Sequence, residues 1–399
     1  MRSVARQPQS DGYLATVAAS FDYPMQFTRD AFSPTNADFL NLVRRREPAR
    51  RHRLFVVVDS GVALARPELC QAVVQYARQF AASLDLAAPP LVIEGGEASK
   101  SRPELWSWFQ ARLCAANLDR QSHLVVVGGG ALQDMAGYSA AALYGGLRLF
   151  RMPSTVVSQA EAGMVWRSSL NAFGKKDLLS QCYPPSAILL DTELLKSVAP
   201  KEKLLGAIEA LKIALVRDPD FFHWLADRAR LLAVSDPKSI EAMVRWSARL
   251  HLESMAEGEN PFAPSLPLAC DLGHWAAHRA EELLRPQVGY GECAAIGLAV
   301  DLLVSREALG LPAETVAAAI HLMEELGLRL WHPSLEQHGL PGRLGLLEGL
   351  EDCRRRWPGP TPFLLLRELG EPVWVASIEE GSVGRAVEFL KSRSHTHPD

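Results

Sequence analysis

His274 and His278 stand four residues apart in Gly273-His-Trp-Ala-Ala-His278, so any helix containing them presents both imidazoles on one face. Together with a carboxylate such as Glu209, in Gly206-Ala-Ile-Glu-Ala-Leu-Lys212, that pair can hold a divalent cation. Lys212 falls one turn after Glu209 on the same face, where its charge favours the ionised carboxylate. The histidines serve equally well as packing or surface residues of an amphipathic helix.

A different chemistry is indicated nearer the N-terminus. The apolar run His123–Val127 (HLVVV) leads into Gly128-Gly129-Gly130-Ala-Leu-Gln-Asp134, a strand entering a triple-glycine turn that opens a helix. Missing side chains let backbone amides approach a pyrophosphate, and a helix N-terminus adds positive potential. The run is not GxGxxG, and a plain tight turn between strand and helix accounts for it equally. A second glycine turn, Glu94-Gly95-Gly96-Glu97-Ala-Ser-Lys100, also follows a strand, and Asp59 ends another, where a carboxylate can hold a pair of ribose hydroxyls. Each alone is an ordinary loop, whereas three at strand C-termini agree with a nucleotide lying across a sheet edge. Arg167, in Trp166-Arg-Ser-Ser-Leu-Asn171, and Lys175-Lys176, in Asn171-Ala-Phe-Gly-Lys-Lys-Asp177, suit phosphate or hydroxyl binding, although a lone Lys-Lys also suits a solvated loop.

The elements that must position these groups follow from hydrophobic periodicity. Leu54–Asp59, Leu91–Glu94, His123–Val127 and Leu147–Met152 read as strands with helical stretches between them, the rhythm of a parallel sheet covered by helices. After Cys182-Tyr-Pro-Pro185 and a short strand at Ala187–Asp191, helical spacing takes over. Lys203–Val216, Pro219–Leu232, Pro237–Met255, Leu272–Leu284, Cys293–Ala308 and Pro312–Leu326 carry it, and Pro362–Arg367 with Pro372–Ala376 reads as a late hairpin. The expected organisation is a flexible arm over 1–20, an α/β dinucleotide-binding domain over 21–185, an all-helical domain over 186–391 and a tail over 392–399. A cleft between two such domains is the default place for a site.

Composition narrows the class. The 399 residues carry 42 Lys and Arg against 46 Asp and Glu, a formal net charge of −4, so nothing favours nucleic acid or an anionic membrane as partner. Six widely spaced cysteines, with no Cys-x-x-Cys, exclude a zinc ribbon and a secreted disulfide framework. No apolar h-region opens the chain and no later run is long enough for a membrane span, which leads to the expectation of a cytoplasmic protein with reduced thiols.

Taken together these segments resemble the sugar phosphate cyclase superfamily, whose best-known member is 3-dehydroquinate synthase. GGGALQDMAGYSAA is similar to the family's NAD turn, MPSTVVSQAEAG to its nucleotide and substrate segment, NAFGKKD to its lysine loop, GAIEALKIAL to its glutamate helix, and LGHWAAH and YGECAAIG to its two metal segments. The match runs from about residue 22 to 376, and FDYPMQFTRDAFSP, NAFGKKD and DLGHWAAH look closest to the EboD-type branch. The resemblance implies a dehydroquinate synthase-like fold, a homodimer, and NAD held by Asp59, Glu97, Lys100, Gly128, Gly129, Gly130, Asp134, Ser154 and Thr155. It also implies a divalent zinc or cobalt ion on Glu209, His274 and the residue at Tyr290, with Lys176, Lys212, Glu161, Arg167 and His278 as catalytic groups. The family reaction oxidises a sugar phosphate alcohol, eliminates phosphate, returns the hydride and closes a carbocycle by aldol addition, without net redox change.

The departures from the family pattern fall on the substrate side. The histidine of the family's His-Gly-Glu is Tyr290 in Tyr290-Gly291-Glu292, and a phenol of reference pKa ~10 ligates only as a metal-stabilised phenolate. His278, a hydrogen-bonding neighbour in the family, is available to be recruited instead. An aspartate has become Glu161, a lysine Arg167, an asparagine Asp177 and a phosphate-binding arginine Gly145, while Trp166 replaces a small residue and is expected to crowd the pocket. Arg167 stays protonated, so it clamps an anion but shuttles no proton. The favoured expectation is an altered cyclase. A polyol dehydrogenase-like oxidoreductase and a non-catalytic NAD-binding homologue are the alternatives.

Overall fold

The computed structural model describes residues 2–6, 13–17, 20–257, 271–284, 288–336, 343–356, 360 and 362–394. Seven strands form the central sheet: β3 (Met25–Thr28), β4 (His52–Asp59), β5 (Leu84–Leu86), β6 (Leu91–Ile93), β7 (His123–Gly128), β8 (Arg148–Pro153) and β11 (Ala187–Asp191). Their order is β3-β11-β8-β7-β4-β5, with β6 continuing along β4 beyond β5, and every pairing is parallel. Successive residues of a strand face opposite sides of the sheet, so Val56, Val58, Val125 and Val127 fill one core while Phe55, Val57, Leu124 and Val126 fill the other. Apolar residues at every position are what a sheet covered on both faces requires, which is why HLVVV and LFVVVD were legible as strands.

Three features differ from the sequence expectation. The arm expected to be flexible pairs as an antiparallel ribbon, β1 (Arg2–Arg6) against β2 (Tyr13–Val17). Ala187–Asp191, placed beyond the boundary at 185, is hydrogen-bonded between β3 and β8 and completes the sheet. WRSSLN and NAFGKKD, read as loops, are a second ribbon, β9 (Arg167–Ala172) against β10 (Lys175–Cys182). Its sequence is too polar and solvent-facing for a hydrophobic period to reveal it.

The second unit packs around the helix Tyr290–Leu309, which is buried on almost every side. Against it lie the helices Pro200–Arg217, His274–Leu284, Ala313–Glu325 and Glu380–Ser394 and the strand β12 (Phe363–Glu368) of a hairpin with β13 (Glu371–Val375), while the helix Pro237–Ala256 packs on Pro200–Arg217. The stretch 219–232 is not one helix but two, Pro219–Asp227 and Ala229–Ala233. The helix Glu380–Ser394 extends into the expected tail, and residues 395–399 lie outside the described residues. Glycine is needed where the 274–284 and 290–309 helices meet: a Cβ on Gly297 would sit 2.2 Å from the Gly273 carbonyl oxygen, and Gly273 itself has φ +75°. The five described cysteines are free thiols, and Cys270 is outside the described residues. Among the described residues no helix is long and apolar enough to cross a membrane.

Candidate active site

A cavity of about 590 Å³ opens between the C-terminal edge of the sheet and the helical unit. Of the residues to which the sequence reading gives a catalytic, cofactor or metal role, all line it except Gly128, which lies just beneath, in the strand end that leads into the turn. Which of them hold cofactor, metal or substrate is taken up below as a proposal.

The sheet-edge wall is shaped by absent side chains. A Cβ on Gly95 would stand 1.8 Å from Asp59 Oδ2, one on Gly128 2.7 Å from Leu132, and one on Gly129 3.2 Å from Thr155. Only glycine therefore lets these turns close onto Asp59 and onto the start of the Gly130–Ala142 helix. Asp59 caps the next helix by accepting from the Gly61 amide at 2.7 Å, and burial pushes its carboxyl up. Ser154 is 2% exposed, and its Oγ has no hydrogen-bond partner among the described residues. A glycine cradle, a helix N-terminus and an orphaned buried hydroxyl in one wall fit the phosphates and hydroxyls of a dinucleotide.

Behind the cradle, Lys100 is almost fully buried and binds Asp134 at 2.7 Å and Asp177 at 2.5 Å, with Glu97 at 3.6 Å. Burial alone would lower the Lys100 pKa, but the three carboxylates hold it above the ordinary lysine range. Asp177 shows the converse: burial opposes its charge, and the Lys100 ammonium holds it well below the usual carboxylate range. Asp177 also accepts from Ser169 Oγ at 2.7 Å, and Asn171 donates to Glu97 at 3.0 Å. The ribbon β9–β10 is thereby tied to the cofactor wall.

The opposite wall is built of paired charges. On the Pro200–Arg217 helix, Lys212 donates to Glu209 at 2.9 Å, and both are buried. Glu161 faces them from a π-helical turn, Ser158–Ala162, closed by the Gly163 amide donating to the Ser158 carbonyl at 2.7 Å. Burial, and then the charge of Glu209, push Glu161 up to about 8.

Lys176, just past the Phe173-Gly174 turn of the ribbon, reaches across the cleft to Glu281 at 3.0 Å, with its ammonium 4.0 Å from the centre of the Tyr290 ring. Burial first, then the charges of Glu209, Glu161 and Glu281, hold the Tyr290 phenol well above its ordinary pKa. His274 and His278 turn their Nε2 atoms onto each other, ring centroids 4.1 Å apart. Among the described residues no three His, Cys, Asp or Glu side chains are gathered as a finished cage, Glu209 being drawn to Lys212. The donor chemistry nevertheless fits a divalent cation, since two imidazoles and a buried carboxylate line the same cavity.

Two expectations change. Trp166 does not crowd the cavity: its indole donates to the Tyr23 hydroxyl at 2.7 Å and packs edge-on against Phe21 and Tyr23. Gly145 lies in the turn before β8, away from the lining residues. Two positioning residues escaped the sequence reading. Arg151, buried in β8, donates to the Gly163 and Val165 carbonyls at 3.2 and 2.6 Å and to Ser168 Oγ at 2.9 Å, fixing the loop that carries Arg167. Asp301, 1% exposed, accepts from the Gly273 amide at 2.6 Å and the Trp275 indole at 2.8 Å, clamping the turn that delivers His274. The available signal was a charged residue inside an otherwise apolar run, in RLFRMP and in GLAVDLLV.

Comparison with known proteins adds relatives. Residues 90–204 match the family model for the 3-dehydroquinate synthase N-terminal region, and residues 206–342 that for the C-terminal region. A 3-dehydroquinate synthase of Cereibacter sphaeroides is 28% identical over 355 residues, covering 86% of this chain and 90% of that protein. The structure of ValA, a 2-epi-5-epi-valiolone synthase from Streptomyces hygroscopicus subsp. jinggangensis with NAD+ and Zn2+ bound, superposes with a TM-score of 0.81 at 20% identity, covering 95% of this chain and 99% of that one. A 2-deoxy-scyllo-inosose synthase complexed with carbaglucose-6-phosphate, NAD+ and Co2+ gives 0.72 at 19% identity, covering 97% and 100%. At these identities the structural likeness establishes a shared fold.

Proposed function

This chain belongs to the 3-dehydroquinate synthase family, and from that premise we propose that it is an NAD- and metal-dependent sugar phosphate cyclase-like lyase that converts a sugar phosphate to a carbocycle and inorganic phosphate. The observation that carries this reading is the single cavity in which a glycine cradle on one wall faces the pairs Glu209–Lys212 and Lys176–Glu281 on the other. A homodimer is part of the same reading.

In this proposal Asp59, Glu97, Lys100, Gly128 to Gly130, Asp134, Ser154 and Thr155 hold NAD, which supplies a hydride acceptor that gives the hydride back within one turnover. Glu209 and His274 hold the divalent cation, completed by Tyr290 or His278, and the cation supplies a Lewis acid for the alcohol to be oxidised. The remaining roles belong to the chain's own side chains. Arg167 and Lys176 neutralise the phosphate, the guanidinium as a permanent charge and the lysine as a movable one. Glu161, whose carboxyl burial and the Glu209 charge push upward, is placed to give a proton to an oxygen that gains charge, while the Lys212 ammonium, held by Glu209, stabilises such an oxygen by its charge. The enclosed cleft keeps water from a reactive intermediate.

The test is to incubate the purified chain with NAD, Zn2+ or Co2+ and a panel of hexose and heptulose phosphates, following inorganic phosphate and NADH together. Phosphate release without net NADH supports the cyclase. Net NADH from a polyol would replace it by an oxidoreductase, and NAD binding without turnover of any of them by a non-catalytic homologue.

A further inference from the structure

Tyr290 lies in the cavity beside both the His278 imidazole and the Lys176 ammonium. His274 and His278 project from one face of the 274–284 helix with their Nε2 atoms turned onto each other, rings inclined at 72°. Histidines at i and i+4 on one helix face are spaced as the two members of a chelating pair are. Tyr290, by contrast, offers its ring. The ring lies 5.9 Å from that of His278, inclined at 48°, and beneath the Lys176 ammonium at 4.0 Å from its centre. The same ammonium donates to Glu281 at 3.0 Å. Lys176 comes from the ribbon of the sheet unit, whereas Tyr290 and Glu281 belong to the helical unit. An aromatic face and a carboxylate therefore form a two-sided seat for a cation delivered across the cleft.

We infer that His274 and His278, with Glu209, form the divalent-cation site of this chain, and that Tyr290 is not a ligand but the platform that, with Glu281, positions Lys176. The inference rests on the metal being part of the proposed function and decides which residues serve it. It also makes Tyr290 a positioning residue, acting on the reaction through Lys176.

Two measurements on the full chain test it. In the first, metal-stripped protein is titrated with Zn2+ and Co2+ by calorimetry while the tyrosinate ultraviolet difference band and the cobalt visible spectrum are followed. The wild type and Tyr290→Phe should bind alike without a tyrosinate band, while His278→Ala and the bulkier His278→Gln weaken binding at least about tenfold with the thermal melt unchanged. In the second, Lys176 is labelled by reductive methylation and mapped by mass spectrometry. Tyr290→Leu and Glu281→Gln should speed its modification at least about fivefold, the loss expected when a cation–π or ion-pair contact is removed, and Tyr290→Phe should leave it unchanged. A tyrosinate band on metal addition that vanishes in Tyr290→Phe, or metal binding lost in Tyr290→Phe and kept in His278→Ala, overturns the inference and leaves the proposed function standing. Failure of the wild type to bind either cation overturns both the chelating pair and the metal in that function.

Discussion

The sheet-edge wall of the cavity is formed where side chains are missing, and the helical wall where side chains hold one another. At Gly95, Gly128 and Gly129 a single added carbon meets Asp59, Leu132 or Thr155, so that wall tolerates almost no added side chain. On the other wall each cation has a carboxylate partner from a different turn or element: Lys212 with Glu209, Lys176 with Glu281. A wall of exchangeable pairs can be rewritten by compensating substitutions. Glu161, Arg167 and Tyr290 line the cavity beside those pairs, whereas Asp177 is held behind the cradle by Lys100. The difference teaches where specificity can drift without loss of the cofactor fold.

Variants that act on one wall and spare the other test this contrast. The largest effect is expected for Lys212→Met, which should lower phosphate-releasing turnover on the order of 10²–10³-fold, as for loss of a preorganised charge, with NAD affinity by calorimetry unchanged. Comparable turnover, or a parallel loss of NAD binding, would break the separation of walls. Asp301→Asn comes next. It leaves one of two buried donors, Gly273 N–H or the Trp275 indole, without an acceptor, and should cost about 1–3 kcal/mol in chemical denaturation. Its cation affinity should fall while NAD affinity holds.

Gly95→Ala reverses the pattern. The new Cβ displaces Asp59, so NAD should bind about tenfold more weakly, near 1.4 kcal/mol, with the cation site untouched. The smallest effect at neutral pH lies at the opposite end of the sheet, where His123 packs against His52 with both ring nitrogens unpartnered among the described residues. Burial, with the Arg148 charge, lowers the His123 pKa from 6.5 to about 3 in the fold. The unfolded chain therefore takes up the proton first, and this residue's contribution is lost as pH falls from about 6.5 towards 3. His123→Leu should flatten the acid limb of the stability profile and leave both walls unchanged. An unaltered acid limb would assign it to Glu47 instead, whose pKa Arg148 holds down at about 2.

Legibility in the sequence followed the range of the interaction. HLVVV-GGG and LFVVVD announced strand, turn and position within a few residues, because buried parallel strands and helix-opening glycines are local constraints. The ribbon β9–β10 did not, since its residues are mostly solvent-facing and its register is set by pairing rather than by a buried face. Ala187–Asp191 was seen as a strand but assigned to the wrong unit, for nothing within it states that β3, more than 150 residues earlier in the chain, is its neighbour. Trp166 was expected in the cavity because of its position in the motif. Its rotamer is chosen instead by Phe21 and Tyr23, from the far end of the unit.

By itself the sequence determined the parallel sheet, the glycine cradle at its edge, the change to helices after the prolines near 184, and the pool of groups able to do chemistry. Each of these depends on backbone conformation or on a burial period readable over one element. Only the tertiary structure decided that Lys176 sits on Tyr290 and Glu281, that Lys100 joins Asp134 to Asp177, and that Asp301 holds the turn before His274. Those choices rest on charges and rings brought together from distant parts of the chain, where the low-dielectric interior makes each buried group require a partner but leaves the fold to choose which one.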